Sequence, residues 1–284
     1  MRQLTRLDAA GRSVVMSWLQ RPRYEVIPVE GIEDDVARVR KEVRVTVTAS
    51  PRKGLDPTLD LAERLSRDGF AVVPHVSARL VRDACHLRDI TARLTAIGCQ
   101  EIFVVAGDAR EPAGPFPDAL TLLEELSTLD HGLRELGVTG YPERHPLIDD
   151  DVTIQAMWDK RRFATYIVSN LCFDPVLVRK WVVRVRRRGV ALPMYVGMAG
   201  IADAARLLRI SAQIGVGESA RFVRQHANWF LRIVRPGGYS PGRFIAELLP
   251  DLARPERRVA GLHVFTFNEI ESTERWRQEM LATL

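Results

Sequence analysis

The stretch "EIFVVAGDAREP", residues 101–112, carries the pattern on which the fold prediction rests. Four apolar residues, 102–105, are followed by alanine, glycine and a carboxylate, and then by a loop that contains proline. A run this short and this rich in β-branched residues predicts a strand that is buried on both faces. Gly107 and Asp108 then have two interpretations. Either they form an ordinary turn, or they place a carboxylate at the C-terminal end of a barrel strand, where enzymes of that architecture carry their reactive groups.

Similar runs recur along the chain and alternate with amphipathic helical patterns. The predicted strands are residues 24–29, 43–49, 70–76, 101–107, 136–141, 165–170, 192–197 and 262–267. The helical patterns at 58–69 and 88–98 each end in a glycine that can stop a helix. Eight such units in one chain predict an α/β fold, the (βα)8 TIM barrel. An open doubly wound sheet would usually carry a G-x-G-x-x-G turn after its first strand, and none follows here.

The whole chain, residues 1–284, is predicted to be a single barrel domain, because no linker, internal repeat or low-complexity tract divides it. Residues 1–20 form an extra amphipathic segment before the barrel. Residues 215–250 are predicted to be a helical insertion before the last strand. A length of 284 residues lies within the range of a single barrel of this kind.

Composition excludes several classes of protein. Hydrophobic residues make up 46% of the chain and charged residues 27%, as in proteins that bury a sizeable core. No apolar run is long enough to span a bilayer, and "MRQLTRLDAAGRSVV" lacks the apolar region of a signal peptide, so we expect no membrane partner and a cytoplasmic location. Three widely spaced cysteines predict neither a disulfide framework nor a metal site, and Cys99 and Cys172 are expected to be buried.

A net charge of +5 permits a nucleic-acid partner without requiring one. The densest basic run, "RKWVVRVRRRG" (residues 179–189), has its cations at helical spacing around apolar residues. That spacing is typical of the solvated face and last turn of an amphipathic helix. We therefore expect no nucleic-acid binding.

Polar residues gather where the predicted strands end, and in a barrel those ends face one side. Each of them alone is explained by ordinary structure, such as a good strand former or a hydrogen-bonded loop histidine. Together they predict a functional site at one rim of the barrel. They are Glu25 at the start of the first predicted strand, Thr46 and Thr48 on the second, His75 on the third, Asp108 at the end of the fourth, Ser169 and Asn170 at the end of the sixth, and His263, Thr266 and Asn268 on the eighth.

Six segments carry a family resemblance in their order and spacing, from about residue 22 to the C-terminus. The segments are "EVIP" (25–28), "PHVSAR" (74–79), "VVAGD" (104–108), "GYPERHP" (140–146), "SNLCFD" (169–174) and "LHVFTFN" (262–268). This series resembles the methylenetetrahydrofolate reductase family. The segment "GYPERHP" after a Gly-Asp strand is the most specific of the six.

The resemblance implies a (βα)8 barrel that reduces 5,10-methylenetetrahydrofolate to 5-methyltetrahydrofolate. In that family FAD ordinarily relays the hydride from a nicotinamide. Glu25 matches the family's proton donor to N10, and Asp108 matches an aspartate that can stabilise the cation formed during the reaction. The resemblance implies substrate-binding roles for Asn170, His75, Phe267 and Thr48. It implies cofactor-binding roles for Gly107, Tyr141, His145 and Lys160.

Several positions that contact flavin in the family differ here. Ala106 replaces an arginine, the loop "GPFPDA" (114–119) replaces a Tyr-Ala pair, and "DKRRFATY" (159–166) shortens the segment whose nearest lysine equivalent is Lys160. Glu269 stands where the family has an arginine near the folate. Loss of a guanidinium beside a diphosphate removes strong charge-assisted hydrogen bonds. FAD binding is therefore in doubt, and the sequence favours direct hydride transfer from NADH or NADPH.

Three alternatives stay open from the sequence. They are a conventional FAD-dependent reductase, a folate-binding barrel without catalysis, and an unrelated basic barrel that binds RNA in a salt-dependent way. The sequence does not decide between NADH and NADPH. It also leaves the oligomeric state open, a monomer included.

Overall fold

The computed structural model describes residues 7–142, 149–201 and 239–284. Eight parallel strands pair in chain order and close into a barrel, with β1 hydrogen-bonded to both β2 and β8. The strands are β1 Arg23–Val26, β2 Arg44–Val47, β3 Val72–Ser77, β4 Glu101–Val105, β5 Glu135–Gly140, β6 Tyr166–Ser169, β7 Met194–Ala199 and β8 Val259–Phe265. The predicted (βα)8 fold is confirmed, and each predicted strand overlaps one of these eight.

Helices follow the strands around the outside of the barrel. They are α1 Ala9–Gln20, α2 Ile32–Val36, α3 Asp56–Arg67, α4 Ala84–Ala96, α5 Ala119–Leu126, α6 Asp150–Lys160, α7 Pro175–Arg187, α8 Pro241–Leu252 and α9 Ile270–Thr283. Helix α1 is the predicted extra segment, and it buries Val15, Trp18 and Leu19. Helix α8 lies in the predicted insertion, most of which falls outside the described residues.

Local sequence signals explain where these helices begin and end. The Asp174 carboxylate accepts hydrogen bonds from the backbone N–H groups of Val176 and Leu177 at the start of α7. Gly69 and Gly98 follow α3 and α4 with φ of +84° and +68°, the left-handed conformation that glycine adopts at helix ends. Helix α7 buries an apolar stripe that includes Trp181 and carries its arginines in the last turn, as predicted. None of the helices in the described ranges is long and apolar enough to cross a membrane.

The strands separate two apolar layers. The large core lies between the sheet and the helices, and it includes the buried thiol of Cys172. A small cluster of Val73, Phe103, Tyr166 and Val168 fills the barrel interior. Because neighbouring side chains along a strand alternate between the two sides, β1 directs Arg23 and Glu25 into the interior.

Candidate active site

Glu25 lies on β1, where Thr46 of β2 and Phe265 of β8 are its pairing neighbours. Its Oε2 atom is 3.1 Å from Nε2 of His263 and 4.0 Å from Nε2 of His75. The side chain keeps 17% of its surface exposed, whereas both histidines are buried. The carboxyl group is thus held by buried imidazoles and stays accessible from the open end of the barrel.

Both histidines are buried, and the pKa of His75 departs from that of a surface histidine. Burial lowers the pKa of His75 to about 4, with Glu25 acting to raise it and His263 acting to lower it. His75 is therefore uncharged at neutral pH. Within the described part of the chain, Nε2 of His75 and Nδ1 of His263 have no hydrogen-bond partner. Buried polar atoms are ordinarily hydrogen-bonded, so these two nitrogens are exceptions, and Nε of Arg23 is another.

The end of β8 holds the backbone around Glu25. The Thr266 hydroxyl donates to the Glu25 carbonyl oxygen at 2.6 Å. The Asn268 side-chain amide accepts from the Ile27 N–H at 2.9 Å and donates to the Ile27 carbonyl at 3.0 Å. Phe267 and Asn268 adopt φ of +52° and +58°, a conformation that is rare outside glycine. This turn places the Asn268 amide against the end of β1, so that the backbone of Glu25 and Ile27 is bonded to side chains that follow β8.

Gly107 is required by the turn after β4. Its φ is +90°, and a Cβ atom at this position would lie 1.8 Å from the Ser77 hydroxyl oxygen. Asp108 follows at the C-terminal end of the strand with an exposed side chain. Burial raises the pKa of the nearby Tyr141 phenol, a hydrogen bond with Thr139 lowers it, and the charge of Asp108 raises it. Both interpretations of the Gly-Asp pair therefore hold: the glycine makes a turn, and the turn presents a carboxylate at the rim.

A family model for methylenetetrahydrofolate reductase matches residues 28–226, which is more than half of the chain. The chain belongs to the methylenetetrahydrofolate reductase family. Methylenetetrahydrofolate reductase 2 of Saccharomyces cerevisiae is 28% identical over 123 residues, which cover 39% of this chain and only 20% of the yeast protein. A Toxoplasma gondii ME49 protein described as a deoxyribose-phosphate aldolase superposes with a TM-score of 0.50 at 11% identity, covering 96% of this chain and 99% of its own. That likeness concerns the barrel fold alone.

The match to the reductase family includes His75, Asp108 and Asn170, and it ends before β8. Asn170 follows β6, and its side-chain oxygen accepts from the Leu171 N–H at 2.8 Å. Thr48 follows β2, and its N–H donates to the Val26 carbonyl at 3.0 Å. Phe267 packs beside Phe173 and Ala199 at the end of β7. The structure therefore places the predicted folate-binding residues at the C-terminal strand ends, and their roles remain predictions.

The residues predicted to bind the cofactor do not all lie at the C-terminal strand ends. Lys160 is the last residue of α6 and is buried. Burial lowers its pKa, and the carboxylates that oppose this effect belong to Asp118 and Asp159 rather than to Glu25 or Asp108. His145 lies outside the described residues. The structure does not bring Lys160 into the group around Glu25, so its predicted role in cofactor binding has no support from these contacts.

From the sequence, His263 is only one of several polar residues near the last strand. In the structure its Nε2 atom lies 3.1 Å from the Glu25 carboxyl group, closer than Nε2 of His75, although His263 and Glu25 are 238 positions apart. One signal was available: His263 and Phe265 alternate with apolar residues and so face the same side of β8. The alternation alone does not show which residue of another strand the histidine meets.

Proposed function

We propose that the protein reduces 5,10-methylenetetrahydrofolate to 5-methyltetrahydrofolate, with a reduced nicotinamide dinucleotide as the direct hydride donor. The observation that carries this proposal is the Glu25 carboxyl group, set at the open end of the barrel within 3.1 Å of His263 and 4.0 Å of His75. Binding alone would not need an acid between two buried imidazoles. Membership of the reductase family supports the choice of substrate.

Glu25 would act as a general acid at the substrate's five-membered ring. It gives its proton to N10, the bond between N10 and the methylene carbon breaks, and a 5-iminium cation forms. A reduced nicotinamide dinucleotide would supply the hydride to that carbon and would be oxidised, which balances the two electrons and the proton. The His263 imidazole nitrogen, 3.1 Å from Glu25, is placed to return a proton to the carboxylate. Asp108 supplies a negative charge near the cation.

The residues after β4 support the proposal of a reaction without flavin, because Ala106 stands where the resemblance implies a flavin-contacting arginine. Ala106 has only a methyl side chain, and its carbonyl oxygen accepts from the Ser77 hydroxyl at 3.2 Å and the Arg79 N–H at 3.0 Å. The loop that follows is bound to the Arg79 guanidinium through the carbonyls of Ala109 and Pro117. This segment offers no guanidinium to a diphosphate at the position of the family arginine. No step of the proposed reaction passes through flavin.

The test is to mix the purified protein with NADH and methylenetetrahydrofolate, without added flavin, and to follow NADH oxidation. We expect colourless protein, no NADH oxidation without the folate, and initial-rate plots that intersect because both substrates occupy the cleft together. Yellow protein with bound FAD, or the parallel lines of a ping-pong relay, would favour the conventional flavoenzyme. Folate binding without any turnover would favour a non-catalytic barrel.

A further inference from the structure

Arg79 contacts both ends of the loop that carries Asp108. This loop runs from Ala106, after β4, to Pro117, before α5. The Arg79 N–H donates to the Ala106 carbonyl at 3.0 Å, and the Arg79 Nε donates to the Pro117 carbonyl at 2.9 Å. One residue therefore holds the point where the loop begins and the point where it ends.

The same arginine also binds the middle of the loop. Its Nη1 donates to the carbonyl oxygens of Ala109 at 2.9 Å and of Arg110 at 3.5 Å. The Ala113 N–H donates to the Arg79 carbonyl at 2.9 Å. Asp108 thus lies between two backbone carbonyls, those of Ala106 and Ala109, that Arg79 fixes directly.

Ser77 completes the support on the other side of the turn. Its hydroxyl donates to the Ala106 carbonyl at 3.2 Å and fills the space where a side chain at Gly107 would lie. Both supporting residues belong to the segment "PHVSAR", whose histidine faces Glu25. The short segment after β3 therefore supplies the imidazole near the acid and the brace for the Asp108 loop.

We infer that Arg79 is a positioning residue, which acts on the reaction by fixing the place of the Asp108 carboxylate. Three of its five hydrogen bonds come from the guanidinium, all to carbonyl oxygens that follow Asp108, and Arg79 forms no ion pair with any other described residue. A loop of this length has few apolar anchors, Phe116 being the one that is fully buried. Without the guanidinium, the backbone after Asp108 loses its bonds at Ala109, Arg110 and Pro117, while the bonds to Ala106 remain. A displacement of about 1 Å at a reacting group can cost about 10²-fold in rate.

A double-mutant cycle with Asp108 tests this inference, which rests on the proposed function. Arg79→Gln and Asp108→Asn should each lower kcat on the order of 10²-fold, and the double variant should fall little further, because both remove the same carboxylate from its place. Arg79→Lys keeps the charge without the fork, and should restore only part of the rate. Independent effects, giving on the order of 10⁴-fold for the double variant, would overturn the inference.

Hydrogen exchange of the ligand-free protein separates this inference from the proposed reaction. Peptides covering residues 106–117 should exchange faster in Arg79→Gln than in the parent protein. Arg93→Gln is the matched control, since it removes three side-chain bonds between α3 and α4 and should change neither the loop exchange nor kcat. Unchanged loop exchange in Arg79→Gln would overturn the brace, whereas absence of turnover in the parent protein would overturn only the proposed reaction.

Discussion

At the N-terminal end of the barrel, the Glu101 carboxylate pairs with both Arg23 and Arg44. The Arg23 guanidinium also lies 4.3 Å from the centre of the Tyr166 ring and 4.0 Å from that of Tyr195. At the C-terminal end, the Glu25 carboxyl group faces two imidazoles and no guanidinium within ion-pair distance among the described residues. Two glutamates point into the same barrel, and only the first has its charge balanced by cations.

The different partners of the two carboxyl groups indicate a structural role for Glu101 and a chemical role for Glu25. The buried Glu101 carboxylate is balanced by the Arg23 and Arg44 guanidinium groups, and its removal would leave Arg23 buried without its counter-charge. Glu25 lies next to two buried imidazoles, each with an unsatisfied nitrogen. Unsatisfied buried nitrogens occur at both ends, since Nε of Arg23 also has no hydrogen-bond partner among the described residues. The two ends differ in the carboxyl group: that of Glu25 has no guanidinium within ion-pair distance in the described ranges and keeps 17% of its side-chain surface exposed, so chemistry is expected there.

The largest effect is expected for Glu25→Gln. The amide keeps the shape of the side chain but has no acidic proton for N10, so kcat should fall by roughly 2–4 orders of magnitude. Folate affinity and the unfolding transition should change little. The measurement is the rate of NADH oxidation at saturating folate. A variant that turns over at nearly the parent rate would remove Glu25 from the mechanism.

Glu101→Gln should lower the stability of the protein and leave kcat unchanged, the opposite of Glu25→Gln. Removing the carboxylate leaves the Arg23 guanidinium buried without its counter-charge, which should cost about 3–5 kcal/mol of unfolding free energy. The kcat of the folded fraction should stay at the parent value. Urea unfolding measures the first quantity and turnover at low urea the second.

Glu63→Gln is the matched control for that substitution. Glu63 pairs with Arg93 on the outer surface of the barrel, where the loss should be below about 1 kcal/mol. If both substitutions lower the unfolding free energy equally, burial of the ion pairs around Glu101 does not increase their contribution to stability. If Glu101→Gln lowers kcat instead, the two ends of the barrel are coupled, and the assignment of stability to one end and chemistry to the other is wrong.

His75 should make the protein sensitive to acid. Its pKa in the folded protein is about 4, below the ordinary value of 6.5. Between these values the unfolded chain binds a proton that the folded chain does not, so stability is full above pH 6.5 and is lost as the pH falls towards 4. The loss attributable to His75 should approach about 3 kcal/mol.

The measurement compares urea unfolding of the parent protein and of His75→Gln at pH about 7 and at pH about 4. The variant should lose less stability on acidification than the parent protein does. Equal acid sensitivity in both proteins would mean that His75 is not held uncharged in the folded state. The description of Glu25 as lying near a buried, uncharged His75 would then be wrong.

Much of this fold could be predicted from the sequence, because buried parallel strands are short apolar runs and each repeats the same signal. The ends of the strands were less predictable. Residues 24–29 were predicted to be a strand, but β1 ends at Val26. The Ile27 N–H and carbonyl are bonded to the Asn268 side chain instead of a neighbouring strand. A side chain from the far end of the chain therefore ends the strand, and no local pattern reveals it.

In the candidate site, too, some features could be predicted from the sequence and others could not. Asp108 could be identified as a polar residue at a strand end, because that signal is local, whereas Glu25 stands near the start of the predicted strand 24–29 and its role came from the family resemblance. The contact between Glu25 and His263 joins β1 to β8, and the brace between Arg79 and the Asp108 loop depends on backbone carbonyls, which every residue has. Arg79 and His263 both lie in segments that carry the family resemblance, but neither segment indicates which residue each of them contacts. The flavin question depends on substituted contacts and stays a prediction.

Asp108→Asn should have the smallest effect of the series, and it separates the two interpretations of the Gly-Asp turn. Asparagine is as good a turn residue as aspartate, so a purely structural Asp108 would tolerate the change in both stability and rate. A carboxylate that stabilises the iminium cation would not, and kcat should fall on the order of 10²-fold while the unfolding free energy stays the same. Gly107→Ala is the contrasting variant, because its new Cβ would meet the Ser77 hydroxyl at a positive φ and should destabilise the turn itself. Loss of stability without loss of rate in Asp108→Asn would assign the residue to the turn and leave Glu25 as the one carboxyl group with a role in the reaction.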